Sequence, residues 1–266
     1  MPGQSCVRTG HGIIAARTIK IRTTPNIEEH SVTTNSEHIS KRFDLELDAV
    51  RDGVLQMGQM VREQLRLAMA SLDNGDTILM GQALDLGYQI NTLEVEIDRK
   101  CNLLLAQRQP EAVDLRTVLT VLKITTDLER AGDQAEQIAR RAEMLFQQGP
   151  LNLPHSANIG RCARLASDML EKSMAAFARS DAGIAVEVIR QDQQVNEEYT
   201  FITRNLIGIM LEDPRAISTA LDFLFVAKAI ERIGDHAKNI AKYVIFMAKG
   251  HDVRHTSIEE MEKKAL

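Results

Sequence analysis

The 266-residue chain sets 32 lysines and arginines against 37 acids, a formal net charge of −5 at pH 7, and is 44% hydrophobic, an ordinary share for a globular fold. The acidic balance, an aromatic content of 4% and the lack of tryptophan argue against a general nucleic-acid binder, which needs a basic face and often stacking aromatics. Its three cysteines, Cys6, Cys101 and Cys162, are odd in number and far apart, pointing to neither a disulfide framework nor a zinc knuckle and fitting a reducing cytoplasm. No apolar run reaches the roughly 18 to 20 residues that span a bilayer.

Residues 1–35 hold Arg8, Arg17, Lys20 and Arg22 with no acid before Glu28, a pattern shared with transit peptides. Ile13 to Ala16 is too short for a secretory apolar core, so the segment is read as a poorly ordered leader. Periodicity begins near Ser36 or Ser40: Phe43, Leu47, Val50, Val54, Met57, Val61, Leu65, Ala68 and Leu72 keep 3,4 spacing and predict one long helix ending at Asn74-Gly75. A second helix starts from Asp76 as N-cap and carries Leu79, Leu86, Ile90, Leu93, Ile97 and Leu104 to the Gln109-Pro110 break, with Asn91, Glu94 and Asp98 on the adjoining face. A third runs from Glu111 or Asp114 to Gln148, and Gly149-Pro150 marks the linker.

The plan then repeats. Helices are expected from Ser156 to Arg179, from Asp181 to Leu211, and from Pro214 to Lys249 with Asp213 as N-cap and proline at the first position. Early in the copies the offset is 105 residues, pairing Met69 to Leu72 with Met174 to Phe177, Asp76 with Asp181 and Gln89-Ile-Asn91 with Gln194-Val-Asn196. Six long helices and short connections predict an all-α fold of two pseudo-symmetric three-helix bundles, residues 36–149 and 153–250, with 251–266 a charged tail expected to fray. A single mixed six-helix bundle is the alternative packing.

Asp127-Leu-Glu-Arg-Ala-Gly-Asp133 returns as Ala229-Ile-Glu-Arg-Ile-Gly-Asp235 at an offset of 102 residues. Residues i and i+4 share a helix face, so Glu129 with Asp133, and Glu231 with Asp235, point their oxygens at one spot beside the core stripes Val121 to Leu145 and Phe223 to Met247. Like charges that close call for a counter-charge. Two readings meet that need: a hard cation, or i,i+3 pairs of Arg130 with Asp133 and Arg232 with Asp235, with Lys228 and Lys238 bracketing the second copy. Asn91 in the first copy, and Asp192 with Asn196 in the second, could add oxygen donors, which suit magnesium, manganese, calcium or iron better than structural zinc. His236 has no counterpart in the first copy, where Gln134 stands, and is read as a surface histidine. Gly132 and Gly234 cost about 1 kcal/mol each against alanine, which close approach of a helix or ligand would explain. No Glu-x-x-His pair, Walker loop, nucleotide fingerprint or Gly-x-Ser-x-Gly elbow occurs, so a metal-dependent hydrolase or oxidase is the second functional reading rather than the first.

The duplicated Glu-Arg-x-Gly-Asp helices, with Ala106-Gln-Arg-Gln-Pro110 leading to Asp114-Leu-Arg116, Asp192-Gln-Gln-Val-Asn-Glu-Glu-Tyr199 and Met210-Leu-Glu-Asp213, resemble the PhoU family of phosphate-uptake regulators from about Ile39 to Arg254. The resemblance implies two three-helix bundles, a homodimer, and divalent or trivalent metal ions (magnesium, manganese, iron or zinc) at Glu129, Asp133, Glu231 and Asp235, supported by Asp192 and Asn196 and, in the first copy, Asn91. It implies a non-enzymatic cytoplasmic adaptor that meets the membrane only through partners. Those partners would be the ATPase subunit of the phosphate ABC transporter and a phosphate-sensing histidine kinase, and the adaptor would restrain the phosphate-starvation (Pho) regulon and uptake. One departure stands out: the first copy has Gly87 where the family often has an acid, so its metal is expected to be weaker or to use Glu94 instead.

Overall fold

In a computed structural model the described residues are 32–108, 111–147 and 156–265. The expected leader lies outside them up to residue 31, as does the Gly149-Pro150 linker; helix is already present at Val32. The chain divides between Ile39 and Ser40, within the first helix, and the larger unit holds all the other helices.

Seven α-helices, and no strand, make up the described structure: α1 Val32–Asn74, α2 Thr77–Arg108, α3 Ala112–Gln147, α4 Ser156–Arg179, α5 Ala182–Glu212, α6 Ile217–Lys249 and α7 Ile258–Ala265. Their ends follow from local chemistry. Gly75, at φ +66°, closes α1 with its N–H on the Ser71 carbonyl at 2.8 Å. The Phe146 ring packs where a Gly75 side chain would stand, tying the far end of α3 to this turn. Asp76 Oδ1 accepts from the N–H groups of Ile78 and Leu79, and Asp181 Oδ1 from Gly183 and Ile184, so both copies cap their second helix alike. The start of α6 differs from expectation: Asp213 caps a 3-10 turn, Pro214–Ala216, before the α-helix begins at Ile217. Gly250, at φ +74°, ends α6.

Every residue of the two core stripes, from Val121 to Leu145 and from Phe223 to Met247, is buried. They join with α1, α2, α4 and α5 residues in one continuous apolar core, so the two three-helix repeats are packed on each other. Pairs across α3 and α6 run in opposite directions: Lys123 lies over the Tyr243 ring, Asp127 meets His236, and Arg141 meets Asp222. The helices are therefore antiparallel, and equivalent residues of the two copies meet near their middles. Glycine makes close packing possible elsewhere, since the space of a Gly58 side chain on α1 is filled by Met174 of α4. The repeat also shows in packing. A Cβ on Gly132 would meet Gln64 and Ile90, and one on Gly234 would meet Met169 and Val195, partners again 105 residues apart.

The tail does not fray. Val253 and Met261 are buried, α7 packs on α5 and α6, and Arg190 holds Glu262 at 2.5 Å. Val253 anchors the segment before the helix and Met261 the helix itself, two apolar residues in a charged stretch that composition alone hid.

Candidate functional site

The paired carboxylates sit beside the core on the middle turns of α3 and α6. In the first copy Glu129 is half-buried and Asp133 exposed. Desolvation pushes both carboxyls above their ordinary range, and each is pushed further by an acid beside it, Asp133 for Glu129 and Glu136 for Asp133. A hydrogen bond between the two carboxyls adds to the rise at Glu129 and offsets part of it at Asp133. Their oxygens therefore converge, as i,i+4 spacing requires. Glu94 of α2 joins them, raised first by burial and then by Glu129, Asp98 and Asp133. Asn91 is exposed and makes no hydrogen bond among the described residues.

The second copy holds its charge differently. Burial raises the Asp235 carboxyl, with Glu231 and Asp192 adding to the rise and Lys238 and Lys228 opposing it. Lys238 Nζ lies 2.5 Å from Oδ2 of buried Asp192, which also accepts from Asn196 Nδ2 at 3.0 Å. Lys228 Nζ stands 2.6 Å from Glu231 Oε2 and balances its charge. The bracketing lysines are thus real counter-ions. The arginine pairs are not: neither Arg130 nor Arg232 makes an ion pair among the described residues.

The two copies differ because one acid has moved. Gly87 occupies on α2 the place of Asp192 on α5, and a Cβ there would lie 2.8 Å from Glu136 Oε2 and 3.0 Å from Gln64 Nε2. Glu136 of α3, equivalent to Lys238 of α6, supplies its carboxylate to the space an α2 acid would fill. Aligning the two copies position by position would have found it.

The histidine is not a free surface residue. His236 Nδ1 is 2.6 Å from Oδ1 of buried Asp127, and Asn239 Nδ2 donates to the same oxygen at 3.4 Å. Asp127 has Ala229 as its counterpart and His236 has Gln134, so this bridge between the repeats is made once. A reading confined to single helices could not see a partner 109 residues away.

Between α3 and α6 a cleft of about 600 Å³ is lined by three equivalent pairs, Arg130 with Arg232, Asp133 with Asp235 and Gln134 with His236, together with Lys238, Asn239 and Lys242. The donors suit a hard cation in kind. The first copy brings Glu94 under the charge of Glu129 and Asp133, a repulsion a cation would relieve, whereas in the second copy Lys228 and Lys238 already balance Glu231 and Asp192. Among the described residues, however, no three His, Cys, Asp or Glu side chains stand close enough to enclose an ion. An ion in the second copy would also displace two ammonium groups.

A family model for the PhoU domain matches residues 54–142 and 159–244, once on each repeat. A Burkholderia protein described as a phosphate-specific transport system accessory protein PhoU homolog is 40% identical over 231 residues, 86% of this chain and 98% of that one. The Escherichia coli K12 phosphate-specific transport system accessory protein PhoU is 39% identical over 228 residues, 86% of this chain and 94% of its own. The crystal structure of PhoU from Pseudomonas aeruginosa superposes with a TM-score of 0.76 at 39% identity, over 79% of this chain and all of that one. That of the phosphate transport system regulatory protein PhoU from Streptococcus pneumoniae gives 0.72 at 27% identity, over 79% and 99%.

Proposed function

Because the chain belongs to the PhoU family, we propose that it serves as an accessory protein of a phosphate-specific transport system. In this reading it is a non-enzymatic, cytoplasmic, homodimeric adaptor between the transporter's ATPase subunit and a phosphate-sensing histidine kinase, and it restrains uptake and the phosphate-starvation regulon when phosphate is plentiful. The observation that carries the reading is the doubled Glu-Arg-x-Gly-Asp helix, matched by the family in both copies at the place where α3 and α6 meet. Among the described residues no helix is long and apolar enough to cross a membrane, so any action on a transporter goes through a docking surface. Such an adaptor works by binding one state of its partner more tightly than another.

The motif acids enter as cation sites. The donors would be Glu129 and Asp133 with Asn91 or Glu94 in the first copy, and Glu231 and Asp235 with Asp192 and Asn196 in the second, and in each copy the side chains would have to draw together to enclose an ion. A bound ion would supply charge neutralisation that lets the acidic shelves approach an acidic partner. The test is genetic: a deletion strain assayed for phosphate-regulon output in high phosphate should express it constitutively and return to repression when this chain is restored. Unaltered repression in the deletion strain would refute the regulatory reading. Turnover by purified protein, abolished by Glu231→Gln with Asp235→Asn, would favour a metal-dependent enzyme instead.

A further inference from the structure

The arginine of each motif has lost the partner its sequence position offers. Arg130 and Arg232 line the cleft between α3 and α6 without an ion pair, and they reach it from opposite repeats. Lys242 lines the same cleft and makes no ion pair among the described residues. Lys238 is held by Asp192, and Asp133 and Asp235 are the two carboxylates in the lining. The lining itself carries four cations, Arg130, Arg232, Lys238 and Lys242, against the two carboxylates of Asp133 and Asp235. A second observation points the same way. Gln134 is 8% exposed, lines the cleft, and its Oε1 is buried with no hydrogen-bond partner. Burying such a group unpaired costs about 1–3 kcal/mol, so it asks for a ligand that can donate.

We propose that this cleft binds a small tetrahedral oxyanion of the phosphate class, gripped by Arg130 and Arg232 from the two repeats, with Lys242 as the third positive charge. Guanidinium groups match such oxygens two at a time, and one arginine from each repeat in the same lining offers more donors than a flat carboxylate can use. A singly protonated phosphate also offers the P–O–H donor that Gln134 Oε1 lacks. This goes beyond the accessory role and stands whether or not that role holds.

The experiment is calorimetric titration of the purified full chain with inorganic phosphate, with sulfate as competitor. Saturable binding is expected, weakened roughly tenfold to a hundredfold by Arg130→Gln or Arg232→Gln and lost in the double variant. Both arginines are exposed, so the variants should fold, and circular dichroism checks that they do. No saturable phosphate binding by the unaltered chain, or undiminished binding by the double variant, overturns the proposal. A parallel arm uses phosphatidic acid vesicles: sedimentation through the same arginines without uptake of free phosphate assigns the anion to a lipid headgroup and overturns the small-anion assignment.

Discussion

Placing an aspartate at position 87 tests the claim that Glu136 has taken over a missing acid. Gly87→Asp gains about 0.3 kcal/mol in helix propensity. Its Cβ, however, would sit 2.8 Å from Glu136 Oε2 and 3.0 Å from Gln64 Nε2, and both must move. Gln64 is fully buried and donates to the Ala83 carbonyl at 3.1 Å, so its displacement costs about 1–3 kcal/mol. Repulsion between the new carboxylate and Glu136 adds about 1 kcal/mol. The single variant should therefore lose about 2–3 kcal/mol in urea unfolding. Adding Glu136→Lys reproduces the Asp192–Lys238 pair of the second copy and should restore about 1–2 kcal/mol, a coupling read from the double-mutant cycle. Gly87→Asp within about 0.5 kcal/mol of the parent, or additive energies in the cycle, would refute the substitution of one acid by the other.

Asp127→Asn weakens the one bridge between Asp127 and His236, and should cost about 1–3 kcal/mol in the same assay; no loss would show that the repeats do not depend on it. In chelator-treated protein, the carboxyls of Glu94, Glu129 and Asp133 titrate above their ordinary range, so the folded state binds their protons more tightly than the unfolded chain. Their contribution to stability is complete below the ordinary carboxylate range, about 4, and is lost as pH rises through the raised values. Glu129→Gln with Asp133→Asn should accordingly flatten the fall in Tm above that range, and an unchanged slope would contradict the assignment. Met261→Ala should cost about 2 kcal/mol and speed amide exchange across α7; exchange already at the free-helix rate in the parent would mean the tail is not docked.

Much of the architecture was legible because it rests on periodicity. The 3,4 stripes of α3 and α6 named the buried face residue by residue, and Asp76 and Asp181 announced the helix starts that they cap. The glycines beside the motif aspartates signalled the close approach of Ile90 and Val195. What escaped was non-local. His236 looks like a surface residue until Asp127 arrives from another helix, and Arg130 looks paired with Asp133, yet the two line one cleft without an ion pair. The acids of each copy were found by their spacing, whereas the exchange of an α2 acid for Glu136 required both copies to be laid over each other. The two three-helix repeats are as the periodicity predicts, and what it could not show is that they share one core across their seam.

The most direct test of the doubled acidic motif is equilibrium dialysis of the purified chain against Mn²⁺, an ion that favours carboxylate oxygen. The account predicts that Glu129→Gln with Asp133→Asn, and separately Glu231→Gln with Asp235→Asn, each lower the bound manganese while circular dichroism stays helical. Manganese uptake that neither pair of substitutions alters would contradict it.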